Sequence, residues 1–232
     1  MAQKRQADDG GGAALDSAQK SPRPFGPFAS RFCLDFANSL EGRLTDHPRE
    51  SLTHYAALVT WSQQAGILAN DTAQSLTREA ARRPAAAAVV FERGSALREA
   101  VYRIFSAVAH QRSPQTAALD LLNAVLGEAL AALRIIPTPE GFTWGWTSDK
   151  RRLDRLLWPI AQSAADLLTS GELRAVRECA APTCGWLFLD TSRNHSRRWC
   201  DMKACGNRAK ARRHYERKKK AMAHATGNPR WR

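Results

Sequence analysis

The sequence predicts a mainly α protein, α+β overall: a helical N-terminal domain with a small β-hairpin, then a small cysteine-rich module of hairpin plus helix. Three observations carry this. Apolar residues recur at helical spacing through most of the chain before residue 172. The period changes once, between Arg134 and Trp146. Four cysteines near the C-terminus form two copies of Cys-x4-Cys-Gly, a pattern that suits a treble-clef-like zinc module.

The elements follow in order. Residues 1–27 are rich in Gly, Ala, Gln, Pro and charge, and read as a disordered tail because they bury too little to offset ordering entropy. The helical domain is expected over 28–172. Arg31 to Leu40 reads as a helix or short buried element, and Thr45 to Glu50 as a turn around Pro48. Ser51 to Gln64 is helical, with Leu52, Tyr55, Ala56, Val59 and Trp61 supplying its apolar face, and Gly66 stops it. Asp71 suits the N-cap of a helix to Arg82. Pro84 to His110 is a long helix with a stripe of Phe91, Leu97, Val101, Ile104, Phe105 and Val108, and Thr116 to Leu133 is another.

Arg134-Ile135-Ile136, a Pro-Thr-Pro-Glu-Gly turn and Phe142-Thr143-Trp144-Gly145-Trp146 predict the hairpin. Asp149 opens a helix through Leu153, Leu156, Leu157, Ile160, Ala164 and Leu167, which Gly171 caps. The metal module spans 173–223, with strands at Trp186 to Leu189 and Arg198 to Cys200 and a helix from Gly206 to Ala223. Residues 224–232 read as a flexible tail.

The longest apolar run, Ala85 to Phe91, is far shorter than a membrane span, so no membrane is expected. The first twenty residues lack the apolar core of a secretory signal, which makes the cytosol the expected compartment. Cysteines there serve as metal ligands or redox groups more often than as disulfides. The spacing Cys179-x4-Cys184-x15-Cys200-x4-Cys205 supplies four thiolates, enough to close a tetrahedral shell around one Zn²⁺ per chain. A closed shell leaves no position for water or substrate, so the ion is structural. The glycine after each second cysteine is expected to turn the backbone at positive φ. His195 reads as a loop residue. Trp186, Phe188, Trp199, Tyr215 and Met222 are the expected core of the module.

Net charge is +13 and unevenly placed: residues 179–232 carry +11 and the preceding 178 only +2. Such asymmetry points to a polyanionic partner. After Cys205 the final helix carries Arg208, Lys210, Arg212, Arg213, Arg217 and Lys218 to Lys220. Ala211, Tyr215 and Met222 form a thin apolar stripe expected to dock on the metal core. Candidate nucleic-acid contacts are therefore Arg197, Arg198, Asn207, Arg208, Lys210, Arg212, Arg213 and Arg217. Asn207 suits a helix cap as well as a base contact, and Arg208 suits an ion pair with Asp190 or Asp201.

The run Cys179-Ala-Ala-Pro-Thr-Cys184-Gly-Trp-Leu-Phe-Leu-Asp-Thr-Ser-Arg193, with Arg197-Arg-Trp-Cys200-Asp-Met-Lys-Ala-Cys205-Gly-Asn-Arg-Ala-Lys210, resembles the CGNR zinc finger, named for a sequence seen here at 205–208. The body resembles the ABATE domain of stress-induced transcription regulators through Leu34-Asp35-Phe36-Ala37-Asn38-Ser39, Leu58-Val59-Thr60-Trp61 and Leu97-Arg98-Glu99-Ala100, with Ser39 where that family more often has Thr. The resemblance implies a bacterial regulator with an N-terminal sensing or assembly domain and a DNA-binding finger.

The expected partner is duplex DNA, with RNA binding or protein interaction through the finger as alternatives. No nucleophile–base pair, phosphate loop or catalytic-metal pattern is present, so an enzyme is not expected. Asp35, Asn38 and Arg98 are polar groups in apolar helical contexts. They form either a pocket for a small-molecule effector or an internal hydrogen-bond network.

Overall fold

The computed structural model describes residues 32–146 and 151–226. The tail read at 1–27, the helix opening read at Asp149 and the fraying read at 227–232 lie outside the described residues. None of the described helices is long and apolar enough to cross a membrane.

Seven α-helices and three two-stranded antiparallel hairpins are described. The body is built around α4 (Pro84–Ala109), whose Leu97, Val101, Ile104 and Phe105 are fully buried. Their spacing keeps them on one face of a 3.6-residue helix. Against that face pack α1 (Phe32–Ala37), α2 (Tyr55–Gln64), α3 (Asn70–Arg82) and α5 (Thr116–Ala132). A 3₁₀ segment, Leu153–Leu157, leads into α6 (Trp158–Leu168), which packs on α1 and α5. Ser163 on α6 accepts the Cys33 backbone N–H at 3.2 Å, meeting a donor that the short α1 cannot satisfy itself.

Two helix ends differ from the sequence reading. α3 starts at Asn70 after an extended Ala69, so Asp71 lies in the first turn and not at the cap. Its charge still faces the positive end of the helix. α6 ends at Leu168 with Thr169 as its cap, and Gly171 instead starts a 3₁₀ turn, Gly171–Ala175.

The segment read as a plain turn at 45–50 contributes a strand. β1 (Leu40–Glu41) pairs with β2 (Arg49–Glu50), Leu40 opposite Glu50. This small ladder delivers Glu50 to Arg98 on α4. The guanidinium donates to both carboxylate oxygens, at 2.6 and 2.5 Å, and to Ser39 Oγ at 3.3 Å. The Leu52 backbone N–H also donates to Glu50, at 2.8 Å. Bidentate geometry makes this the strong class of ion pair.

The hairpin read at 134–146 is present as β3 (Leu133–Thr138) and β4 (Gly141–Trp146). Trp146 packs on the buried Trp158 with ring centroids 5.6 Å apart, which anchors the base of the hairpin to the body.

Burial pushes the Glu50 carboxyl up, but the bonds from Arg98 and Leu52 outweigh it and hold it below its ordinary value of 4.5. A carboxyl lowered on folding stabilises fully above the unfolded value, and that stabilisation fades as pH falls through the lower folded value. Glu50→Gln should therefore flatten the acid limb of thermal stability measured from neutral pH downward. Arg98→Ala, which strands half-exposed Glu50, should cost about 3 kcal/mol in denaturant unfolding.

Candidate metal centre and its basic face

The module begins as a hairpin seated on the body. β5 (Val176–Glu178) pairs with β6 (Leu187–Leu189), Val176 opposite Leu189 and Glu178 opposite Leu187. Val176 and Leu187 belong to the same buried core as α1 and α4. On the edge of β6 facing α1, the Asn38 side chain donates to the Leu187 carbonyl at 2.8 Å and accepts the Leu187 N–H at 2.9 Å. Glu178 accepts from Tyr102 Oη at 3.2 Å and Ser106 Oγ at 2.6 Å, both on α4, and His110 Nδ1 lies 3.6 Å away.

Cys179 continues directly from β5, and its N–H donates to Trp186 O at 2.9 Å. Cys184 closes the first knuckle through a 3.0 Å bond to Ala181 O. Gly185 then takes φ +67°, and a Cβ there would sit 3.1 Å from Tyr102 Oη and 3.2 Å from Arg43 Cβ. Conformation and close approach to the body both require glycine.

Gly206, expected to repeat this, does so only in sequence. It is not among the positive-φ glycines, and it closes a π turn, Met202–Gly206, that runs into α7 (Asn207–Thr226). Its smallness is what matters, since a Cβ would lie 2.4 Å from Met202 Sδ and 3.3 Å from Trp199 Cδ1. Asp201 organises this second knuckle: its carboxylate accepts from Ala204 N at 2.7 Å and its carbonyl from Gly206 N at 3.0 Å.

The sulfurs of Cys179, Cys184, Cys200 and Cys205 all lie within 4.8 Å of one another. Two separations, Cys184–Cys200 and Cys200–Cys205, are 3.7 Å. A disulfide would need about 2.05 Å. A tetrahedron with Zn–S bonds of about 2.3 Å has edges of about 3.8 Å. The donor set therefore fits one structural Zn²⁺ held by four thiolates.

Around the sulfurs pack Ala181, Phe188 and Trp199. Arg208 NH2 donates to Cys205 Sγ at 3.2 Å, so its partner is a ligand sulfur and not the carboxylate expected from the sequence. A cation there offsets the negative charge of a four-thiolate shell.

The loop between the knuckles is held by buried Asp190. Its carboxylate accepts from Ser192 N, Ser192 Oγ and Arg197 N, at 3.0, 2.5 and 2.8 Å. Burial raises this carboxyl, but the donors prevail and keep it low. His195 is a loop residue at φ +45°, with Nδ1 2.8 Å from Asp190 O. Residues 198–200 form no strand; Ala180 N donates to Arg198 O at 2.9 Å instead.

The candidate contact residues divide into two sets. Arg197 is occupied, with Nε on Trp199 O at 2.8 Å, NH2 on Cys200 O and its guanidinium 4.8 Å from the Phe188 ring centre. Arg198 stacks on Trp199 at 5.5 Å. Asn207 is exposed with helical φ and ψ, because Asp201 has taken the capping role one turn earlier. Lys210, Arg212, Arg213 and Arg217 all project from the outer part of α7. The apolar stripe expected to dock that helix does not: Tyr215 is 68% and Met222 62% exposed. Among the residues of α7 whose burial is described only Ala209 is buried, so α7 leaves the module after its first turn.

Asp35, Asn38 and Arg98 do not meet in one pocket. Asp35 is exposed, Asn38 holds β6 and Arg98 holds β2. A cleft of about 590 Å³ lies elsewhere, between the β1–β2 turn and the finger, lined by His47, Arg49, Trp186, Asp201 and Arg208 among others. Sequence reasoning missed Glu50, Glu178 and Asp190 as organisers. Asp190 carried a signal in the following Thr-Ser, since an acidic residue two before a serine suits an Asx turn.

Chelation should release one zinc per chain and unfold the two knuckles, 179–185 and 198–206, with the first turn of α7, while β6 stays on the body. The body should stay folded, because Val176 and Leu187 belong to its core. Metal analysis with circular dichroism melting checks both. Arg208→Met should weaken zinc retention roughly 10-fold or more in competition with a chelator, as expected when a ligand sulfur is deprived of its hydrogen-bond donor.

Comparison with known proteins agrees with this geometry. The family described as "ABATE: Putative stress-induced transcription regulator" matches residues 30–171, and the CGNR zinc finger matches residues 175–218. No curated protein matches the chain. With more than half its length in the first match, the chain belongs to the ABATE family and carries a CGNR zinc finger at its C-terminal end.

Proposed function

We propose that this chain is a bacterial DNA-binding transcription regulator that contacts duplex DNA through α7. The observation that carries the reading is the character of that helix. From Lys210 to Lys219 every residue is exposed, and the segment holds six Lys or Arg against one Glu. Arg212 pairs loosely with Glu216 at 3.7 Å, a surface contact worth little. A helix about 10–12 Å across fits the major groove, and cations on several of its faces reach phosphates on both walls.

The metal centre gives the helix its origin and direction without taking part in recognition chemistry. Arg208 and Arg197 support the module, which leaves Lys210, Arg212, Arg213 and Arg217 as the contact set. Arg198 and Asn207 flank it at the start of the helix. Regulation fits the family, whose members are of regulatory and not enzymatic type. Asn38 and Arg98 each have full hydrogen-bond partners inside the fold, which supports a structural network over an effector pocket. Action on DNA places the protein in the cytoplasm, at the nucleoid when bound.

Single-stranded RNA would satisfy the same phosphates, but its recognition draws on aromatic faces for stacking. Phe188 and Trp199 are committed to the metal core, and Trp186 alone of the three is exposed. Duplex DNA is therefore the better fit.

The test is retention on duplex DNA as a function of salt. Affinity should fall linearly on a log–log plot. Arg212→Ala, Arg213→Ala and Arg217→Ala together should reduce the slope by about three units, one for each phosphate no longer neutralised. Zinc content should be unchanged. Equal retention of the triple variant and the parent would reject α7 as the contact surface, and preference for single-stranded RNA in competition would favour the other polymer.

A further inference from the structure

The β3–β4 hairpin carries an apolar face whose outer part no other described residue covers. In its register Leu133 lies opposite Trp146, Ile135 opposite Trp144 and Pro137 opposite Phe142. Paired residues in a ladder point to the same side, so these six apolar groups share one face. The base pair, Leu133 and Trp146, is half-buried, and Trp146 packs against Trp158. The two outer pairs stand in solvent, with Phe142 80%, Ile135 62% and Trp144 44% exposed. Ile136 points to the opposite face, folded over Gly145.

Neither strand carries a charge beyond Arg134 at the base, whose guanidinium is bonded to Ala131 O and Leu133 O. Both hairpin edges are open, and the hairpin pairs with no other strand among the described residues. Exposed strands normally carry charge, proline or bulges to prevent association. Pro137 is the one such device here.

We infer that this face is a homodimer interface, covered by the same hairpin of a second copy of the chain. Two quantities favour a second copy. The first is area. Aromatic side chains bury about 150–250 Å² each, so the outer pairs expose on the order of 450 Å² of apolar surface. Two such faces together give about 900 Å², close to the roughly 1,000 Å² of a specific interface.

The second is charge. Residues 179–232 carry +11, so two copies repel through their fingers, whereas residues 1–178 carry only +2. The hairpin lies in that near-neutral part. Pairing through it joins the bodies and leaves both basic helices free. A two-fold interface uses the same patch on each copy, which a self-complementary apolar face satisfies.

The experiment is sedimentation of the zinc-loaded full chain without DNA, across a hundredfold range of concentration. The expected result is a species of twice the 25.7 kDa chain mass at the upper end, giving way to single chains on dilution. The double variant Ile135→Lys with Phe142→Lys should run at single-chain mass throughout, with unchanged zinc content and circular dichroism, because both side chains are exposed in the monomer. Single-chain mass for the parent at every concentration would overturn the inference. So would a variant that dimerises like the parent. Single-chain mass with Trp144 shielded from acrylamide, read as the difference from Trp144→Phe, would put residues 1–31 of the same chain on this face and would also overturn it.

Discussion

The two hydrogen bonds between the Asn38 carboxamide and the Leu187 backbone fix the position of everything that follows β6. A two-stranded sheet leaves both edges with unpaired N–H and C=O groups, and a buried edge must have them satisfied. One planar amide offers a donor and an acceptor at the spacing a backbone unit presents, which Asp or Leu at position 38 could not do. The bond pair ties α1 to β6 across 149 residues of sequence. It is reinforced on β5, where Glu178 is held by Tyr102 and Ser106 of α4. Cys179 follows directly from that strand. The sulfur cluster, the π turn and the origin of α7 are thereby set with respect to the body.

This arrangement differs from a finger hung on a linker. Val176 and Leu187 belong to the core of the helical domain, and Gly185 lets the first knuckle touch Arg43 and Tyr102 directly. The ion is needed for the two knuckles and the start of the helix, where apolar burial is limited to Ala181, Phe188 and Trp199. Chemistry at the metal is absent from the design because all four positions are taken by thiolates. β5 leads straight into the first ligand and α7 starts two residues after the last, so a short path of structure joins the body to the basic helix.

Much of this was legible in the residues. The Cys-Gly half-repeat located the metal ligands, because ligand spacing is local. The long helix of 84–109 and the hairpin of 133–146 were readable from a strong period and its one change. The polar pairings were not. Glu50 reaches Arg98, and Asn38 reaches Leu187, only because the fold brings distant segments together, and no local pattern encodes a partner 48 or 149 residues away. The sequence did mark Asn38 and Arg98 as polar groups in need of partners. The duplicated glycines misled by similarity, since one answers a positive φ and the other a methionine sulfur. Tyr215 and Met222 misled by periodicity: a stripe at helical spacing says which residues share a face, not that a surface lies beneath it.

Backbone amide hydrogen exchange on the free, zinc-loaded protein tests the seating of the finger most directly. The Leu187 amide should exchange as slowly as those of Val101 and Ile104 in α4, since it opens only when the body does. Amides of α7 beyond Lys210 should exchange far faster. A Leu187 amide that exchanges rapidly while α4 remains protected would contradict the account, because the finger would then move independently of the domain on which it sits.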